Sequence, residues 1–115
     1  MPDHTLITIT DATFDELVLR ARQPVVVDFW ATWCPPCGPM SRLLGELAGE
    51  FRGRLVIGTL DADENPVTTR DHRVLAMPTL LFFKDGVVTS SIVGARPKSV
   101  LRAALSSAVT PYVNR

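Results

Sequence analysis

Apolar residues along the chain follow two rhythms. The run Val25-Val26-Val27-Asp28-Phe29-Trp30-Ala31 is β-branched and aromatic, and apolar on both faces except at Asp28. That pattern predicts a central strand covered on both sides. Residues 6–9, 55–60 and 79–83 read as further strands. Asp85-Gly86 is a two-residue hairpin signal into a last strand from Val87 to about Val93. Between the strands the spacing lengthens to three or four. Asp11 suits the N-cap of a helix whose apolar positions are Phe14, Leu17, Val18 and Ala21, and Pro24 ends it near Arg22-Gln23. Met40, Leu43, Leu44, Leu47, Ala48 and Phe51 make one buried stripe of a helix running to about Arg52, with Gly53 placed to stop it. Residues 66–73 are polar and predict a short irregular helix. Pro97 stands near the start of a last helix with the stripe Val100, Leu101, Ala104, Leu105 and Ala108.

The predicted order is therefore β-α-β-α-β-α-β-β-α. Strands separated by helices are expected to run parallel, and the final hairpin adds an antiparallel edge, which gives a three-layer α/β domain. At 115 residues the chain is read as one domain, 1–115, able to bury a core without staples. Twelve basic residues balance twelve acidic ones, so nothing in the charge points to nucleic acid or an anionic membrane. The longest apolar runs are far short of the roughly 20 residues of a membrane span. No basic segment followed by an apolar stretch opens the chain, which predicts a cytoplasmic protein.

Cys34 and Cys37 are the only two cysteines, in Trp33-Cys34-Pro35-Pro36-Cys37, between a strand and a helix. One pair is too few for a disulfide scaffold and supplies half of a four-ligand zinc site. The missing ligands would be His4 and His72, both in polar surroundings and better read as solvent-exposed, so no metal is expected. Two thiols delivered to the start of a helix are a redox arrangement. Disulfide exchange needs a thiolate, and a free cysteine is only about 3% ionised at neutral pH, a fraction that the unpaired N–H groups of a helix N-terminus raise. Cys34 precedes the helix and can cap it; Cys37 lies one turn in, facing the core. Cys34 is thus the expected exposed attacker and Cys37 the sheltered resolver. A carboxylate in so apolar a run as that around Asp28 should be desolvated and its pKa raised, which makes Asp28 the candidate base for Cys37. The alternative is a buried aspartate that only hydrogen-bonds the backbone.

Taken with Met77-Pro78-Thr79, Asp85-Gly86 and Val93-Gly94-Ala95, the stretch from Val27 to Cys37 resembles thioredoxin in register from about residue 6 to 109. The resemblance implies the thioredoxin fold, a central mixed five-stranded sheet flanked by about four helices. It implies protein-disulfide reduction with no bound cofactor, and recycling by a thioredoxin reductase that uses NADPH, since this chain has no nucleotide-binding motif of its own. It also implies that Asp28 lies beneath Cys37. Pro78 would be cis, although a trans bond is the default from sequence alone. Trp33, Met77, Pro78, Val93, Gly94 and Ala95 would form an apolar landing surface for disulfide-containing client proteins. Core packing is the competing expectation for Trp33, and a turn for Gly94. A monomer is expected, because the thiols must stay accessible.

Several positions depart from the family pattern. Pro35 replaces a glycine, so the active-site loop Pro35-Pro36 lacks two N–H groups and Cys34 is left to rely mainly on the N–H of Cys37. Gly38 and Pro39 stand where a basic residue and an ordinary helix former are usual, and Arg42 where a helix-kinking proline is common; any irregularity of the helix is expected near Pro39. Thr59 occupies the position of a buried lysine, whose absence should leave the pKa of Asp28 higher. Pro35 keeps open a specialised carrier, oxidase or isomerase. A non-enzymatic binding subunit is disfavoured by the intact Cys34, Cys37, Asp28 and Pro78.

Overall fold

A computed structural model describes residues 6–110. Its sheet has the order β1 (Ile7–Thr8), β3 (Val56–Asp61), β2 (Val25–Trp30), β4 (Thr79–Lys84), β5 (Val87–Val93). The doubly apolar run predicted as the central strand is β2, buried from Val25 through Phe29. Parallel pairing joins β1 and β2 to β3. The hairpin turn places Asp85 at φ 52° and Gly86 at φ 78°, the left-handed pair that an Asp-Gly turn supplies.

One expectation about strand direction is overturned: β4 runs antiparallel to β2. The reason is length. The helix between β3 and β4, α2 (Pro66–Asp71), has six residues and spans about 9 Å at 1.5 Å per residue, whereas a six-residue strand spans about 20 Å. The chain does not return across the sheet, so β4 starts at the end where β3 stops.

Side chains alternate between two layers. Val26, Ile57, Leu80 and Phe82 pack against Met40, Leu44 and Leu47 of α1 (Cys37–Ala48) and Leu101 and Leu105 of α3 (Lys98–Val109). Val25, Val27, Phe29, Leu81 and Phe83 face the other way, onto Phe14, Val18 and Val74. The period of two therefore puts Asp28 on the α1 side of the sheet, in step with Val26.

The first predicted helix is smaller and wider than expected. Its turns span Asp15–Leu19 in π-helical form, with the Arg20 N–H donating to the Asp15 carbonyl at 3.0 Å. Asp11 does not cap it. Thr10 and Thr13 close the turn instead, each hydroxyl accepting from the other's N–H at 3.2 and 3.0 Å. The Asp11 carboxylate accepts from the N–H groups of Thr68 (2.8 Å) and Val67 (3.2 Å), so it caps α2 from across the fold. Nor does α1 reach Arg52: it gives way to a 3-10 turn at Gly49–Phe51, and Gly53 follows at φ 84°. The helix runs unbroken through Pro39, whose missing N–H falls in the first turn, where no intrahelical partner exists. The observed departure from α geometry is at the opposite end from the one expected.

His72 is a further correction. It is half-buried between Phe14 and Phe83, with ring centroids 5.0 and 5.5 Å away, and its Nδ1–H donates to the Thr68 carbonyl at 3.0 Å. His4 lies outside the described residues. Among the described residues no helix is long and apolar enough to cross a membrane.

Candidate active site

β2 ends at Trp30, and within seven residues the chain has turned into α1. The Cys34 N–H donates to the Ala31 carbonyl at 3.2 Å, and the Cys37 N–H to the Cys34 carbonyl at 3.1 Å. Cys34 and Cys37 are joined in a disulfide, their Cα atoms 5.5 Å apart. Pro36, rather than Cys34, holds the N-cap position of α1, at φ −75° and ψ −8°, and Cys37 is the first helical residue. The N–H on which the Cys34 thiolate was expected to rely is thus already engaged by Cys34's own carbonyl. Burial separates the two cysteines less than expected, with relative exposures of 7% for Cys34 and 3% for Cys37.

A cleft of about 560 Å³ opens beside the disulfide, lined by residues 30–32, by Cys34, Pro35 and Cys37, and by Gly38 and Ser41 of α1. Trp30 and Met77 pack against the small buried cluster of Ala31, Cys34 and Cys37. The exposed Arg42 side chain turns back over Gly38: a Cβ there would lie 3.8 Å from Arg42 Nη1. A cation therefore still stands near the position from which the family's basic residue is missing.

Asp28 is completely buried, and neither carboxylate oxygen has a hydrogen-bond partner among the described residues. The alternative of an aspartate tied to the backbone is not what is observed. Desolvation pushes its pKa up to about 7. In the sheet it stands between Thr59 of β3 and Leu80 of β4. Thr59 is buried as well, but its hydroxyl does not bond the carboxylate.

The Met77–Pro78 peptide is cis. Thr79 pairs with Val93, and the Gly94 N–H, on a backbone at φ 93°, donates to the Pro78 carbonyl at 2.8 Å. That bond brings the 93–95 turn beside the proline. Val93 is 55% and Trp33 63% exposed, so Trp33 is a surface residue and not a core one. The Trp33 indole N–H donates to Asp63 at 2.8 Å, which fixes the ring's orientation.

The thioredoxin family profile matches residues 5–107. The chain belongs to the thioredoxin family. It is 47% identical to a thioredoxin of Mycobacterium tuberculosis over 108 residues, covering 94% of this chain and 92% of that one. A Pseudomonas aeruginosa thioredoxin is 43% identical over 107 residues, with 93% and 98% covered. A bifunctional thioredoxin reductase/thioredoxin of Mycobacterium leprae is 44% identical over 108 residues, 94% of this chain but 23% of that longer protein. This thioredoxin-family chain is a protein-disulfide reductase whose redox-active disulfide is Cys34–Cys37.

Three residues of the site escape sequence reasoning. Trp30 lines the cleft at the end of a strand that otherwise reads as core. Asp63 lies 30 residues from its partner Trp33, a pairing that spacing does not disclose. Ser41 did leave a signal: it is a polar residue four positions after Cys37, on a helix face that is otherwise buried.

Proposed function

We propose that Cys34 is the nucleophile, Cys37 the resolving thiol and Asp28 the proton acceptor in a cycle recharged by thioredoxin reductase at the expense of NADPH. The Cys34 thiolate attacks one sulfur of a client disulfide; a Cys34–client S–S bond forms, and the client's other sulfur leaves as a thiolate and takes up a proton. Cys37 then gives its proton to Asp28, and its electron pair forms the Cys34–Cys37 bond as the second client sulfur departs. The client is reduced by two electrons and the cysteine pair oxidised by two. The reductase, using NADPH, returns the pair to dithiols.

The observation that carries this reading is the unpartnered carboxylate of Asp28 on the α1 side of the sheet, the side where Cys37 begins its helix. A carboxyl with pKa about 7 is poised to take and return a proton at neutral pH. The reductase as partner is supported by the relative in which a thioredoxin reductase and a thioredoxin share one chain. Met77, Pro78, Val93, Gly94, Ala95 and Trp33 serve as the landing surface, supported by the exposure of the apolar Trp33 and Val93 and by the Gly94–Pro78 bond that brings Val93 beside the proline. Cycling through free thiols suits a reducing cytoplasm, where we place the protein. We read it as one domain, 1–115, acting as a monomer, with neither nucleic acid nor membrane as a partner.

The test is insulin reduction with a thioredoxin reductase and NADPH. NADPH oxidation should require both this chain and insulin. Cys34→Ser should abolish it, and Cys37→Ala should accumulate a client joined to Cys34. A Cys34→Ser protein as active as the wild type would refute the assignment.

A further inference from the structure

Ser41 lies one helical turn beyond Cys37, and positions four apart share a face of an α-helix. It is buried, at 6% relative exposure, and lines the cleft that holds both sulfurs. A serine inside a helix commonly turns its hydroxyl back to the carbonyl four residues earlier, here that of Cys37. The Ser41 hydroxyl does not: it has no hydrogen bond with any described residue. A buried hydroxyl without an acceptor is costly, and alanine is the better helix former, so packing alone does not account for serine here. The surroundings are also poor in donors. Pro35, Pro36 and Pro39 bring no N–H, and that of Cys37 is engaged by the Cys34 carbonyl.

Reduction changes what the cleft offers. Breaking the S–S bond turns the Cys37 sulfur from a weak acceptor into a thiol that ionises to a strong one. We propose that Ser41 is a positioning residue for the resolving step, its Oγ–H donating to the Cys37 thiolate in the reduced and mixed-disulfide states. In the mixed disulfide, Cys37 loses its proton to the base and holds the charge until its electron pair forms the bond to Cys34 Sγ and the client sulfur leaves with the electrons of the broken bond. The hydroxyl stabilises that thiolate and keeps it aimed along the cleft. The proposal rests on Cys37 being the resolving thiol.

The other titratable and charged groups around the active-site turn are Cys34, Asp28 on β2, Arg42, whose side chain turns over Gly38, and Asp63, which accepts from the Trp33 indole. The Lys98–Glu46 and Arg102–Glu50 pairs, which tie α3 to α1 and to the 3-10 turn that follows it, lie more than two turns along the chain from Cys37. The Cys37 pKa is therefore measured in reduced wild type, Ser41→Ala and Ser41→Thr by NMR of the cysteine β-carbons, and again in an Asp28→Asn background that removes the coupled carboxyl. Ser41→Ala should raise the Cys37 pKa by about one unit, and Ser41→Thr, which keeps the hydroxyl, should restore it. Above the Cys37 pKa the reduction potential of Ser41→Ala should fall by about 30 mV, a tenfold change in the equilibrium constant, and below that pKa the two potentials should converge. A Cys37 titration that coincides in wild type and Ser41→Ala overturns the proposal. So does a shift that Ser41→Thr fails to reverse. If Cys37→Ala fails to accumulate the mixed disulfide, the resolving role itself is lost, and with it the basis of the proposal.

Discussion

Asp28 joins burial and chemistry in one side chain. Complete burial, with no hydrogen bond to the carboxylate from any described residue, leaves desolvation unopposed, and the pKa rises to about 7. Asp28→Asn should slow resolution of a trapped mixed disulfide about tenfold or more, and slow the first attack by Cys34 less; stopped-flow measurement of the two steps separates them. Thr59, next to Asp28 across the β2–β3 pair, allows a direct test of the electrostatics. Thr59→Lys places a cation beside the carboxylate, so titration of Asp28 by carboxyl-carbon NMR should show a lowered pKa. An unchanged titration would mean that the field at Asp28 does not depend on its strand neighbour.

At the scale of elements, two contacts decide how the pieces assemble. Gly58 lies where β1 pairs with β3, and a Cβ there would stand 2.8 Å from Ile9 Cγ1 and 3.1 Å from Ile7 Cγ1. Gly58→Ala should cost roughly 1–3 kcal/mol in urea denaturation and weaken hydrogen-exchange protection at the Ile9 amide, which donates to the Thr59 carbonyl at 2.8 Å. Asp11 caps α2 from more than fifty residues away. Asp11→Ala should destabilise the fold by about 1 kcal/mol, with the loss of protection concentrated at the Val67 and Thr68 amides. A uniform loss across the first helix would instead make Asp11 a local cap.

For the whole molecule, the raised pKa of Asp28 links stability to pH. The folded carboxyl holds its proton up to about pH 7, whereas the unfolded one releases it near 3.8. Between those values the native state binds more protons, so stability falls as pH rises. That gap corresponds to roughly 4 kcal/mol present below pH 3.8 and lost by the time pH exceeds 7. Asp28→Asn should remove that slope and leave the variant more stable than the wild type by a similar amount at pH 8, in urea titrations across pH. Parallel curves for the two proteins would show that the carboxyl titrates normally.

Local rules determined much of this protein. Periodicity placed β2, α1 and α3 within a few residues, because burial on one or both faces is written in the order of apolar side chains. The Asp85-Gly86 turn followed from φ values that few other residue pairs tolerate. Cys34 and Cys37 were legible as a redox pair because so few residues separate them, and Asp28 because a charge stands out in an apolar strand. Tertiary structure alone decided what depends on distant partners. β4 reversed direction because α2 is too short to carry the chain back, Asp11 found the amides of another helix, and His72 settled between two phenylalanines. At the site, sequence placed Cys34 beside its helix, but the three-dimensional arrangement left the Asp28 carboxylate and the Ser41 hydroxyl without hydrogen-bond partners among the described residues. Hydrogen bonds and desolvation depend on which atoms meet in space, and only the folded chain determines that.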